Sequence, residues 1–302
     1  VNEKNTPFAH LVDKLSTLEA RLLPHAEADK CALALPSRRE VIDIVESLRS
    51  VLFPGYFGIA ELQSDSLRFH VGQSLDAARR HLTEQIRRGL CFACEKKEPG
   101  EACEAEAKKI THQFLEELPA LREILLSDVE AAYEGDPAAL SPAETIFCYP
   151  GIRAVTNYRI AHALHKLGVP LLPRMITEHA HSRTGIDIHP GAQIDSHFFI
   201  DHGTGVVIGE TCVIGKRVRL YQGVTLGAKS FPLDATGKPI KGIPRHPILE
   251  DGVVVYSGAT ILGRVTIGTK SVVGGNVWLT ESVPPGSKVS QREPQTQVVT
   301  KS

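Results

Sequence analysis

Neither sign of charge is in excess in this chain of 302 residues, which carries 34 basic and 35 acidic side chains. A balance that even offers no field for nucleic acid or an anionic membrane surface. Apolar runs are short, and none reaches the roughly 20 residues of a membrane span. No charged-then-apolar segment opens the chain, so nothing reads as a secretion signal. These absences point to a soluble cytoplasmic protein, long enough for two domains.

Cysteine is sparse at six residues. Cys91 and Cys94 form a C-x-x-C with Cys103 nine residues on, a spacing compatible with zinc or redox chemistry. A fourth ligand is not evident, although His81 or His112 could serve. The plainer reading is reduced thiols in and beside a helix, and no metal site is assigned. Cys31 and Cys148 have no clear partner, whereas Cys212 falls within an apolar repeat and reads as a small core hydrophobe.

That repeat is the strongest signal present. Ile188, Ile194, Ile200, Val206, Cys212, Val218 and Val224 lie six apart, and so do Leu249, Val255, Ile261, Ile267, Val273 and Leu279. A fixed hexad implies a parallel β-helix in which each short strand buries one aliphatic before a corner. With three hexads per coil, residues eighteen apart are expected to stack. Two features break the pattern. Asp187, His189, His197, Asp201, His202 and Glu210 crowd polar groups into about one and a half coils. After Val224 the repeat stops over residues 229 to 247, a loop rich in Lys, Pro and Gly that returns through Arg245-His246-Pro247. Loops of that length are usually functional or disordered.

Upstream the period is helical. Val41, Ile44, Val45, Leu48, Val51 and Leu52 mark one face, ended by Pro54-Gly55. Ser74 is placed to cap a second helix with Leu75, Ala78, Leu82, Ile86 and Leu90, and Phe114, Leu118, Leu121, Leu125 and Val129 line a third. A fourth runs from about Ile152 to Leu167. Residues 1–170 are therefore expected to be α-helical, residues 171–289 a β-helix with the inserted loop 229–247, and residues 290–302 a flexible tail. Pro170 and Pro173 mark the passage.

Several motifs carry a specific resemblance: Gly135-Asp136-Pro137-Ala138, Asp187-Ile188-His189-Pro190, Asp201-His202-Gly203-Thr204-Gly205, Gly209-Glu210-Thr211, Arg245-His246-Pro247 and Ile261-Leu262-Gly263. From about residue 110 to 290 the chain resembles the serine O-acetyltransferases of the hexapeptide acyltransferase superfamily. The resemblance implies an α+β fold, an N-terminal helical domain followed by a left-handed β-helix, the opposite hand to the usual crossover. It also implies a homotrimer or a hexamer formed as a dimer of trimers.

The implied reaction moves acetyl from the co-substrate acetyl-CoA to the hydroxyl of L-serine, with no permanently bound cofactor. An aliphatic hydroxyl needs a base at neutral pH. His202 is the candidate, with Asp187 as the carboxylate that orients it, on a neighbouring rung fifteen residues earlier. Arg245 suits the substrate carboxylate, and Asp136 and Asp201 suit its ammonium. His246 contacts substrate or the oxyanion, with Glu210 orienting it. Asp136 before Pro137 also reads as a helix N-cap, and His189 and His197 read as structural. Along the acetyl-CoA groove the candidates are Gly227, Ala228, Ser257 and Gly258, with Lys229 and Lys270 for phosphate.

Three other readings stand beside this one. A γ-class carbonic anhydrase needs three histidines on zinc, and positions 215 and 220, eighteen beyond His197 and His202, are Gly and Leu. Another hexapeptide acyltransferase would act on homoserine or an amino sugar, and a scaffold would have no activity. L-Cysteine is the feedback inhibitor the resemblance implies. Many members end in an isoleucine that enters O-acetylserine sulfhydrylase, but this sequence has none after Ile267. Weak or absent association with that enzyme is the expectation.

Overall fold

A computed structural model describes residues 8–16, 35–58, 64–94 and 100–291. Among the described residues seven helices come first: α1 (Ala9–Ser16), α2 (Arg38–Leu52), α3 (Ser64–Ala93), α4 (Gly100–Gly135), α5 (Pro142–Cys148), α6 (Pro150–Lys166) and α7 (Leu172–Thr184). The faces expected on α2, α4 and α6 are buried together in one core, which also takes in Ala78, Leu82 and Ile86 of α3. Ser74 does not cap α3 but lies inside it, because the helix begins ten residues earlier at Ser64. The helical region also runs past Pro170. Pro173 sits in the first turn of α7, where a missing N–H costs nothing, and Gly185 ends that helix at φ 70°.

Fourteen short strands follow: β1 (Asp187–Ile188), β2 (Gln193–Ile194), β3 (Phe199–Ile200), β4 (Val207–Ile208), β5 (Val213–Ile214), β6 (Arg219–Leu220), β7 (Thr225–Gly227), β8 (Ile248–Leu249), β9 (Val254–Val255), β10 (Thr260–Leu262), β11 (Thr266–Ile267), β12 (Val272–Val273), β13 (Trp278–Leu279) and β14 (Lys288–Val289). They form three parallel faces, β1-β4-β7-β10-β13, β2-β5-β8-β11 and β3-β6-β9-β12-β14. The result is a helical region followed by a left-handed parallel β-helix, the expected fold class. The first edge of this prism joins the first face to the second, the second edge joins the second to the third, and the third edge returns to the first.

The register corrects the simple hexad. Val207 pairs with Thr225, eighteen residues on, but Asp187 pairs with Val207 at twenty. Two extra residues therefore lie in the first coil, at the third edge between Ile200 and Val206. Ile188, Ile194 and Ile200 end their strands, whereas Val206, Cys212, Val218 and Val224 precede theirs. Both positions face the interior, so the insertion leaves the apolar spacing unbroken. One coil beyond His197 the residue in register is Arg217, and His202 falls in the insertion, between Asp201, in register with Tyr221, and Gly205, in register with Gly223, so neither has a histidine stacked on it.

A first coil has no earlier coil to pair its backbone, and buried backbone groups need partners. Helices α4 and α6 supply them. Tyr158 Oη donates to Ala192 O at 2.6 Å, and Arg159 donates to Ile194 O and Asp195 O at 3.0 and 2.8 Å. On α4, Ser127 Oγ accepts from the His197 N–H, and Asp128 Oδ1 from the Phe198 N–H at 2.9 Å.

Cys91 and Cys94 lie near the end of α3, Cys103 is buried on α4, and Cys148 is exposed at the end of α5. Cys212 is fully buried in the β-helix column, and burial pushes its thiol up to about 12. Among the described residues no group of three His, Cys, Asp or Glu is placed to hold a metal ion, and no helix is long and apolar enough to cross a membrane. Cys31, residues 292–302 and the chain-end expectation fall outside the described residues.

Candidate active site

The two-residue insertion at the third edge carries His202. Its backbone takes φ 55°, and that of Gly203 takes 85°. At Gly203 a Cβ would stand 2.4 Å from Ile186 Cδ1, so only glycine fits. The turn throws the His202 ring outward, 71% exposed, with Nδ1 3.7 Å from Asp201 Oδ1. That separation is an ion-pair distance, too long for a hydrogen bond. Among the described residues no hydrogen bond joins Asp187 to His202, because the twenty-residue coil aligns Asp187 with Val207, five residues further on.

Asp136 reaches the same edge from the end of α4. Its Oδ1 accepts from the Ala138 N–H at 2.8 Å, and its Oδ2 accepts from Tyr149 Oη at 2.6 Å. The Tyr149 hydrogen bond holds this carboxyl below the usual range, and His202 acts in the same direction. Asp136 is not a helix N-cap. Helix α5 starts at Pro142, capped by Ser141, whose Oγ accepts from the Glu144 N–H. Arg219 donates to Gly135 O at 3.1 Å and fixes the end of α4 against the third face. Asp136, Tyr149, Asp201 and His202 thus form one cluster.

A second cluster occupies the first edge. Arg245 donates to Glu210 Oε2 at 2.6 Å. Thr211 Oγ1 accepts from the backbone N–H groups of Arg245 and His246 at 2.9 and 3.1 Å. In turn His246 Nδ1 accepts from the Thr211 N–H at 3.0 Å and lies 2.9 Å from Thr211 Oγ1. An accepting Nδ1 places the proton of the neutral ring on Nε2, so His246 is a hydrogen-bond donor. Burial, reinforced by Arg245, holds its pKa below the ordinary value and keeps the ring uncharged. Burial opposes ionisation of Glu210, but the Arg245 hydrogen bond and charge, with the nearby His189 and His246, together outweigh it and hold the carboxyl below the usual value.

Glu210 therefore serves Arg245, and the group that orients His246 is Thr211. Arg264 donates to both Thr211 O and His246 O, at 2.6 and 3.0 Å, and clamps the returning loop. Thr211 and Arg264 were not legible as site residues, since contacts across 35 and 53 residues leave no periodic mark. His189 Nδ1 accepts from the Gly191 N–H and His197 donates its backbone N–H to Ser127, in keeping with structural roles.

The acetyl-CoA candidates divide among the edges. Gly227, Ala228 and Lys229 lead into the loop at the first edge, with Gly227 paired to Leu262. Ser257 and Gly258 turn the third edge, where Gly258 takes φ 69°. Lys270 turns the second edge, which carries neither cluster. His202 precedes β4, while the His246 ring packs against Gly209, which follows it. The chain therefore holds the two clusters at opposite edges of the first face.

No family model matches the chain. The plasmid serine acetyltransferase of Synechococcus elongatus is 54% identical over 287 residues, covering 94% of this chain and 90% of that protein. Serine acetyltransferase of Mycobacterium tuberculosis is 46% identical over 162 residues, 54% of this chain and 67% of its own length. Among solved structures, Entamoeba histolytica serine acetyltransferase 1 in complex with L-cysteine aligns with TM-score 0.72 and 38% identity, over 82% of this chain and 86% of that one. With so similar a relative matched along nearly its whole length, the chain belongs to the serine acetyltransferase family.

Proposed function

We propose that this acyltransferase moves the acetyl group of acetyl-CoA to the hydroxyl of L-serine, in a site completed between neighbouring protomers of a trimer. The observation that carries the reading is the pair of complementary half-sites. Two carboxylates and an exposed imidazole stand on the third edge, with an arginine and a neutral donor histidine on the first. An amino acid needs both sets.

In this mechanism Arg245 of one protomer binds the serine carboxylate, held in position by Glu210. Asp136 and Asp201 of the adjacent protomer face the ammonium and seat the hydroxyl. His202 takes the hydroxyl proton as the oxygen attacks the thioester carbonyl. The bond to sulfur then breaks, and the imidazolium returns its proton to the leaving thiolate. Nε2–H of His246 is the donor for substrate or the developing oxyanion. Asp187, on the outward side of the first face, reaches His202 only if the exposed ring turns when the neighbour closes over it.

Gly227, Ala228 and Lys229 of one protomer and Ser257 and Gly258 of the next border the acetyl-CoA groove. Lys270 lies off it. L-Cysteine competes for the serine site, a reading supported by its presence in the Entamoeba histolytica relative. Pairing of trimers into hexamers through the helical region, residues 1–170 with α7, belongs to the same proposal. So does a cytoplasmic setting, in keeping with the free thiols of Cys94 and Cys148.

Thiol release from acetyl-CoA, followed with L-serine, L-homoserine, an amino sugar or no acceptor, tests the reading. Release is expected with L-serine. Release with another acceptor and not with serine would overturn it, as would no release at all.

A further inference from the structure

Tyr149 stands at the junction of α5 and α6, where it is C-cap to one helix and N-cap to the other. Its side chain makes no capping hydrogen bond to α6. The ring packs, partly buried, against the helical core. The hydroxyl points away from that core and donates to Asp136 Oδ2 at 2.6 Å, its one hydrogen-bond partner among the described residues. Asp136 itself follows the last turn of α4 in an exposed turn. Among the described residues the other donor to its carboxylate is the Ala138 N–H, which binds Oδ1 at 2.8 Å and leaves Oδ2 to Tyr149.

We propose that Tyr149 is a positioning residue for substrate: its hydroxyl aims the Asp136 carboxylate at the amino-acid ammonium beside Asp201 and His202. The inference rests on the reading of Asp136 as an ammonium-binding group. A tyrosine anchored in the core is suited to this work. Its rigid ring fixes the hydroxyl, and the short charge-assisted bond leaves a lone pair on each carboxylate oxygen for the substrate. The charged groups acting on the hydroxyl are Asp136, Glu144 and Asp201. With Tyr149 removed, the carboxylate loses a donor and must be oriented by the substrate itself.

Tyr149→Phe and Asp136→Asn in the full chain test the proposal, with serine and acetyl-CoA varied separately. Tyr149→Phe is expected to raise KM for serine about tenfold, the scale of one hydrogen bond to a charged group, with kcat within about twofold. KM for acetyl-CoA and the melting temperature should not move. The acid limb of kcat/KM for serine should shift to higher pH, because a carboxylate without its donor protonates more readily. Unchanged serine KM and acid limb in Tyr149→Phe, beside a large effect of Asp136→Asn, would overturn the positioning role alone. No effect of Asp136→Asn on serine KM would overturn it by removing Asp136 from the site. Equal losses toward both substrates with a lowered melting temperature would show a structural tyrosine and overturn it as well.

Discussion

Arg159 and Asp128 form a two-pronged ion pair, with Nε to Oδ2 at 2.6 Å and Nη2 to Oδ1 at 2.9 Å, where the β-helix begins. Their side chains are 5% and 1% exposed. Burial pushes the Asp128 carboxyl up, and Arg159 opposes that shift. The pair also binds the free backbone of the first coil on both sides, so it stands in for a missing coil.

Asp128→Ala should therefore be severe, since it leaves a buried guanidinium unpaired and the Phe198 N–H without its acceptor. The expected loss is about 3–5 kcal/mol, read from urea denaturation. A loss under about 1 kcal/mol, the worth of a surface pair, would deny the capping role.

Gly209→Ala should damage activity with its backbone undisturbed. A Cβ there would lie 2.1 Å from His246 Cδ2, so the ring must leave its place beside Thr211. Loss of one aligned donor typically costs about a hundredfold or more in turnover. Steady-state kinetics near the parent value would mean that His246 contributes nothing where it stands.

Stability should fall on mild acidification. Burial, then Arg174, lowers the pKa of His189 to about 4, against about 6.5 in an unfolded chain. Between those values the unfolded state binds a proton that the folded state does not. The contribution is thus fully present above about 6.5 and is lost as pH falls toward about 4. His162, His179 and His246 are lowered in the same direction. His189→Asn should narrow the gap between urea midpoints at about pH 7.5 and about pH 5. An unchanged gap would show that His189 titrates normally.

L-Cysteine should raise the apparent KM for serine without lowering kcat. It differs from serine by sulfur for oxygen, and Arg245, Asp136 and Asp201 would hold it alike. No effect at millimolar concentration would separate this chain from that expectation.

Much of this was legible in the sequence for a physical reason. A strand-and-corner repeat must bury one aliphatic per turn, and so it writes its period into residues such as Ile261 and Ile267. The insertion at Asp201–Gly205 was hidden because it exchanges one inward position for another, Ile200 for Val206, and so leaves the spacing of aliphatics unbroken. Contacts set by the tertiary fold alone left no local trace. Thr211 and Arg264 act on a loop far along the chain, and Tyr149 meets Asp136 only because α4 and α6 pack side by side.

The most direct test of a site shared between protomers uses two inactive variants, His202→Asn and His246→Asn. Alone, His202→Asn should lose at least about a hundredfold in turnover, the scale of a general base. Co-expressed in equal amounts, the two variants should regain about a quarter of the parent activity, because in a ring of random composition one interface in four pairs an intact His202 with an intact His246. Mixed assemblies that show no more activity than either variant alone would place both histidines in one protomer's site and contradict the account.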